Sequence, residues 1–183
     1  MKLSSTTVVY FYCRHNDPQR NSFLALAKSI IWELASHDDM LVDHLFEVTT
    51  KGPESLQLRT QKFAGKLLET AINAAGSVYV VLDGLDECSP LEQKHIVLWF
   101  RKYFDSLVAN STPSRCVFFS QHDATTKSLF PKVPTLKITT ADTRADIGAY
   151  TLTWARSIER KFGSAHVDAQ CLAGLVTERS EGI

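Results

Sequence analysis

The sequence predicts an α/β fold with three layers, a mostly parallel sheet between helices on both faces. Three observations carry this. Short β-branched and aromatic runs recur along the chain, each too short for a helix, as at Thr6–Cys13, Val78–Leu82 and Arg115–Ser120. Stripes of apolar residues at helical spacing separate them. The runs are continuously apolar rather than alternating, as strands covered on both faces should be.

Taken in order, Thr6 to Cys13 reads as a first strand buried on both faces, ending in the turn-prone segment Arg14 to Pro18. Phe23, Leu26, Ala27, Ile30 and Leu34 then fall on one face of a helix, with Lys28 and Glu33 elsewhere on the wheel. A short helix around Leu41 to Val48 follows, then a loop marked by Gly52-Pro53. Phe63, Leu67, Leu68, Ala71 and Ile72 form a second clear stripe, and Gly76 suits a left-handed cap after it. Val78 to Leu82 is the next strand. Ser89-Pro90-Leu91-Glu92 reads as a capping box with proline at the first helical position, opening a long helix with Ile96, Phe100, Phe104 and Leu107 on one face. After a turn at Asn110 to Ser114 comes the strand Arg115 to Ser120, leaving through Gln121-His122-Asp123. Thr135 to Thr139 alternates as a weaker strand. Ile147, Tyr150, Trp154 and Ile158 mark a helix ending near Gly163, and a last helical segment spans Val167 to Val176.

The composition bounds the function. At 183 residues with 44% hydrophobic and 22% charged side chains, the chain is sized for one globular domain with a buried core. Basic and acidic residues number 20 each, so no net field exists to hold nucleic acid or an anionic membrane. No apolar run reaches the roughly 20 residues a membrane helix needs. The four cysteines are widely spaced, with no C-x-x-C pair and no signal-like start, which predicts reduced thiols and a cytoplasmic location.

Chemistry concentrates at YVVLDGLDECSP, Tyr79 to Pro90. An apolar strand here ends in Asp83, with Asp86 and Glu87 three and four residues on. In a parallel sheet ligands sit beyond the carboxyl ends of the strands, where Ser120 to Asp123 should also fall. A hard cation such as Mg²⁺ takes one or two carboxylates, several waters and substrate phosphates, so one strand-end aspartate suffices for it. Asp83 is the metal candidate, and Asp86 or Glu87 would polarise the attacking water. An Asp-Gly turn and acids ahead of a helix N-terminus explain the same residues without any metal. The pattern alone leaves both readings open.

The order VVYFYC, amphipathic helix, YVVLDGLDEC, capped helix, RCVFFSQHD, TLKIT and DIGAY resembles the NACHT NTPases of the STAND class, in particular fungal NOD-like receptors and the nephrocystin-like N-terminal NTPase module. The resemblance spans roughly Val8 to Ile183, and LDGLDE is its sharpest part. It implies a P-loop NTPase fold with residues 1–163 as the nucleotide-binding domain and 164–183 as the start of a helical region. Asp83 would be the Walker B acid, Asp86 and Glu87 the catalytic acids, and Ser120 and Gln121 the sensor positions toward the nucleotide. The implied cofactors are Mg²⁺ with ATP or GTP.

Two departures stand out. No G-x-x-x-x-G-K-[ST] occurs, and Gly52, Gly65 and Gly76, the only glycines ahead of Asp83, open no such loop. The phosphate loop and its strand precede the strand matching Val8 to Tyr12 in the family, so the chain is expected to begin after them. Gln121 stands where the family often has arginine, replacing a charged contact with a neutral one. An inactive partial nucleotide-binding module follows, with a non-enzymatic interaction module as the alternative and an active hydrolase with an atypical phosphate loop ranked last. A sheet missing its inner strand exposes edges, which predicts protein partners or self-association.

Elsewhere the bland readings prevail. Cys13-Arg14-His15, His37-Asp38-Asp39 and His122-Asp123 lack paired ligands at zinc spacing. Cys88 and Cys116 have no base in sequence to activate them and suit small buried hydrophobes. Trp32, Trp99 and Trp154 are expected in the core or at domain contacts. Arg14, Arg20 and Arg115 are expected on the solvated surface.

Overall fold

The computed structural model describes residues 6–36, 38–51, 60–108, 114–121, 124–131, 133–163 and 167–180. The predicted loop at Gly52-Pro53, most of the turn after Asn110, and His122-Asp123 lie outside these residues. The chain divides into two compact units, Met1–Pro131 and Lys132–Ile183.

The first unit is built on three parallel strands, β1 (Thr7–Tyr12), β2 (Val78–Asp83) and β3 (Arg115–Phe118), in the order β1-β2-β3. Register aligns Val9 with Val80 and Phe11 with Leu82 across β1 and β2. Across β2 and β3 it aligns Val80 with Cys116 and Leu82 with Phe118. These two rows point into the core, where Val9, Phe11, Val80 and Leu82 are buried. Helices α1 (Phe23–Ala35), α3 (Gln61–Ala75) and α4 (Pro90–Val108) supply the other side of it. On α1, Phe23, Leu26, Ala27, Ile30 and Leu34 are all buried, as their spacing predicts. Burying each large side chain contributes about 1.5–3 kcal/mol. Between α1 and α3 lies α2 (Asp39–Lys51), anchored by Leu41 and Leu45.

The parallel α/β class therefore holds. The expectation that both faces are covered does not hold among the described residues, because the strands alternate. Val8, Tyr10 and Tyr12 of β1, Tyr79 of β2 and Val117 and Phe119 beside them are exposed. A continuous apolar run satisfies one-faced burial as well as two-faced, and tyrosine, with its polar tip, tolerates water. The first unit is thus a sheet with one packed face.

Caps explain the element ends. Ser22 closes the start of α1 by accepting from Ala25 N, and Thr60 does so for α3 with Phe63 N. Gly76 ends α3 with φ +77°, a positive φ as the cap reading required, though not the standard left-handed helical pair of angles. α4 begins at Pro90 as predicted, and Ser89 Oγ accepts from Glu92 N at 3.4 Å. The capping box is only half formed, since the Glu92 carboxylate goes elsewhere. A short helix α5 (Ala124–Leu129), not predicted, follows β3.

The strand expected at Thr135 to Thr139 is absent, and these residues form an irregular segment with Leu136 90% exposed. A strand needs a backbone neighbour to satisfy its N–H and C=O groups, and none of the described residues provides one.

In the second unit, α6 (Thr140–Phe162) packs on α7 (Ala169–Arg179) through the small buried residues Ala155, Ala169 and Ala173. α6 starts seven residues before its apolar stripe, because Thr139 and Asp142 form a complete capping box. Gly163 closes it at φ +88°.

Candidate functional site

The acidic segment sits at the carboxyl end of the central strand, as the pattern required. β2 ends at Asp83, and Gly84 takes a left-handed conformation, φ +70° and ψ +38°, turning the chain into a single 3₁₀ turn at Leu85–Glu87. Glycine is needed here twice over. A Cβ at this position would also lie 3.2 Å from the Cys13 carbonyl oxygen. Leu85 points down into the core while Asp86 and Glu87 stay half-buried.

Each carboxylate then takes a different partner. Asp86 Oδ1 accepts from Ser120 Oγ at 3.1 Å and from Gln121 N at 3.0 Å. The two polar loops therefore meet at one rim, with the predicted acid tied directly to the predicted sensor residues. Backbone bonds reinforce the junction: Phe119 N donates to Leu82 O at 2.8 Å and Leu85 N to Phe119 O at 3.1 Å. Glu87 Oε2 accepts from His15 N at 3.0 Å, on the loop leaving β1. Asp83 is exposed, and its carboxylate has no partner among the described residues. Its backbone carbonyl accepts from Cys13 N at 2.8 Å. So Asp86 and Glu87 hold neighbouring loops, and Asp83 alone is open to solvent.

This donor set suits half of a Mg²⁺ site. A single open carboxylate leaves room for waters and phosphate oxygens, which is how that ion is usually held. Among the described residues no three His, Cys, Asp or Glu side chains converge, so a closed cage for a transition metal is not formed there.

Two residues near the acidic turn, Glu92 and Gln93, make contacts that the sequence does not show. Glu92 reaches from α4 to the start of α1, accepting from Phe23 N at 2.7 Å with one oxygen and from Gln61 Nε2 at 3.0 Å with the other. Phe23 N is one of the donors a helix start leaves unpaired, so this carboxylate caps a helix that is not its own. Gln93, buried behind the turn, donates to the Cys88 carbonyl at 2.8 Å, while its Oε1 has no partner among the described residues. Periodicity identified neither contact: the Glu92 bonds join segments far apart in sequence, and the Gln93 bond, though local, depends on how the turn folds back against α4.

Cys13 and Cys88 are both buried, in keeping with the small-hydrophobe reading of Cys88. Hydrogen bonding toward Cys88, together with burial, holds the Cys13 thiol well above its ordinary value. The same interaction lowers Cys88, against the opposing effect of burial. Burial pushes the Cys116 thiol up, in keeping with an inert core residue.

Other sequence expectations divide. Trp99 lies in an aromatic cluster, 5.5 Å from Phe23 and 5.3 Å from Tyr103 between ring centres. Trp32 and Trp154, expected in the core or at a contact, are 76% and 57% exposed. Arg14 is exposed, Arg20 pairs locally with Asp17 at 3.7 Å, and Arg115 donates to the Ser114 carbonyl, all surface roles.

Among the described residues no helix is long and apolar enough to cross a membrane. No curated protein and no solved structure matches the chain. A family model described as nephrocystin 3, N-terminal matches residues 1–121, which takes in all three strands, the acidic turn and Ser120–Gln121. With two thirds of its length matched, the chain belongs to the nephrocystin 3 N-terminal family.

Proposed function

We propose that this chain is a partial NACHT-type nucleotide-binding module of the kind found in fungal NOD-like receptors, carrying the Mg²⁺ and water side of the site. The observation that carries the reading is the rim itself. An open strand-end carboxylate, Asp83, lies three residues before Asp86, which is bonded to Ser120 and Gln121 just beyond β3. Mg²⁺ held there would supply positive charge to offset the charge developing in phosphoryl transfer. Asp83 would hold that ion, Glu87 or Asp86 would orient water, and Ser120 and Gln121 would contact the terminal phosphate with neutral donors. The sequence contains no Gly-rich phosphate loop, so tight binding by these residues alone is not expected.

Calorimetric titration with Mg²⁺ and ATP or GTP tests this. Weak saturable binding that Asp83→Ala reduces by at least about tenfold, 1.4 kcal/mol, supports the reading. Absence of heat at millimolar nucleotide overturns it.

A second reading is favoured by one observation. The exposed sheet face around Tyr10, Tyr12, Val117 and Phe119, beside an outer edge of β3 that is unpaired among the described residues, is the kind of surface that marks a protein contact. An interaction module without nucleotide chemistry would use this surface and leave Asp83 replaceable.

A further inference from the structure

We propose that two copies of this chain join along β3 in one defined register, which brings Arg115 of each copy to the open Asp83 carboxylate of the other. The proposal does not rest on nucleotide binding, although Mg²⁺ on Asp83 would compete with it. It begins with the direction of the backbone groups on β3. Phe119 N donates to Leu82 O and its carbonyl accepts from Leu85 N, so both groups point to the β2 side. By the alternation of a strand, those of Arg115 and Val117 point the same way. The N–H and C=O of Cys116 and Phe118 face the other side, where no described strand lies. An antiparallel pair about a two-fold axis satisfies these four groups on each copy when Val117 meets its own counterpart. Cys116 of one copy then exchanges both backbone bonds with Phe118 of the other, twice over, with Val117 on the axis.

This register sets Phe119 opposite Arg115 of the second copy. Opposed residues of an antiparallel pair share a face, and here it is the exposed one. Tyr12 and Asp83 are register partners, and the ladder bond of Phe119 places it on the other flank of Asp83. The row Tyr12, Asp83, Phe119 is thereby extended by a partner arginine. That arginine stands two strand spacings from Asp83, about 10 Å between Cα atoms, a span the two side chains bridge together across the Phe119 ring. A guanidinium so placed gains an ion pair and an aromatic face at once. Charge identifies the occupant as a second copy. Among the outward residues of the three strands, Asp83 is the one anion and Arg115 the one cation. Neither has an ionic partner among the described residues, and Arg115 donates only to its neighbour's carbonyl, Ser114 O at 2.8 Å. The two-fold axis matches each charge with its opposite, so the surface is complementary to itself.

The test uses the full chain. Sedimentation equilibrium should show the native chain as a dimer. Arg115→Asp and Asp83→Arg each set like charges side by side and should each weaken dimerisation by at least about tenfold. The doubly reversed chain restores the pair with its signs exchanged and should recover the native affinity. Should a charge reversal fail to fold, cross-linking decides. In a Cys171→Ala background, which removes the exposed thiol, Val117→Cys should close a disulfide between copies under mild oxidant, because residues on the axis lie at disulfide distance. Val8→Cys, on the same face of β1, should not. A native chain that stays monomeric at every concentration, reversals that leave the dimer unchanged, a double reversal without recovery, or linkage no greater at Val117 than at Val8 would overturn the proposal.

Discussion

Individual side chains at the rim do two kinds of work, and their contacts separate them. Asp86 and Glu87 each spend an oxygen on a neighbouring loop, whereas Asp83 spends none among the described residues. Glu92 is the most consequential residue the sequence concealed. In the pattern it belongs to its own helix as the last member of a capping box, and in the fold it serves the start of α1 and the side chain of Gln61. Glu92→Ala removes two charge-assisted bonds and leaves a part-buried amide unpaired, which should cost about 2–4 kcal/mol. Glu92→Gln should keep a share of that. The urea midpoint of Glu92→Ala should fall with an unchanged slope, and a midpoint equal to that of the native chain would remove Glu92 from this role.

At the scale of elements, amphipathic stripes read well because a helix that packs on one face writes its period into the sequence. α1 and α3 sit where Phe23 to Leu34 and Phe63 to Ile72 placed them. β1 and β2 were readable for a similar reason, as was the meeting of Asp86 with Ser120 at the strand ends. What failed depended on partners. Thr135 to Thr139 has a strand pattern but no neighbouring strand among the described residues, and the open sheet face has an apolar composition without a cover. Pairings such as Glu92 with Phe23 arise from fold geometry alone, which local pattern does not encode. One close helix contact is testable. Gly65 of α3 lies under Trp99, and a Cβ there would come within 2.7 Å of the indole Nε1. Trp99 is fenced by Phe23, Phe100 and Tyr103. Gly65→Ala, which in an open helix would stabilise by about 1 kcal/mol, should here destabilise by about 1–3 kcal/mol. Thermal melting decides the sign.

For the molecule as a whole, the sheet matters through its two edges, which are not alike. The outer side of β3 is unpaired among the described residues. On β1 the Tyr10 N–H points outward and donates to Glu33 Oε2 of α1 at 3.2 Å. A carboxylate on an edge amide is a stopper against strand addition. Among the described residues the sheet therefore has one closed margin and one open one, and this sets an upper limit on assembly. Two copies joining margin to margin across a two-fold axis would consume both open sides at once and stop, whereas two open margins per copy would permit an endless ladder. Sedimentation equilibrium should accordingly show nothing larger than a dimer for the native chain at rising concentration. Glu33→Ala should extend the series to longer species. A strict monomer in both chains would mean that neither margin recruits a partner. A single glutamate outside the acidic rim would then mark the difference between a protein that pairs and one that polymerises.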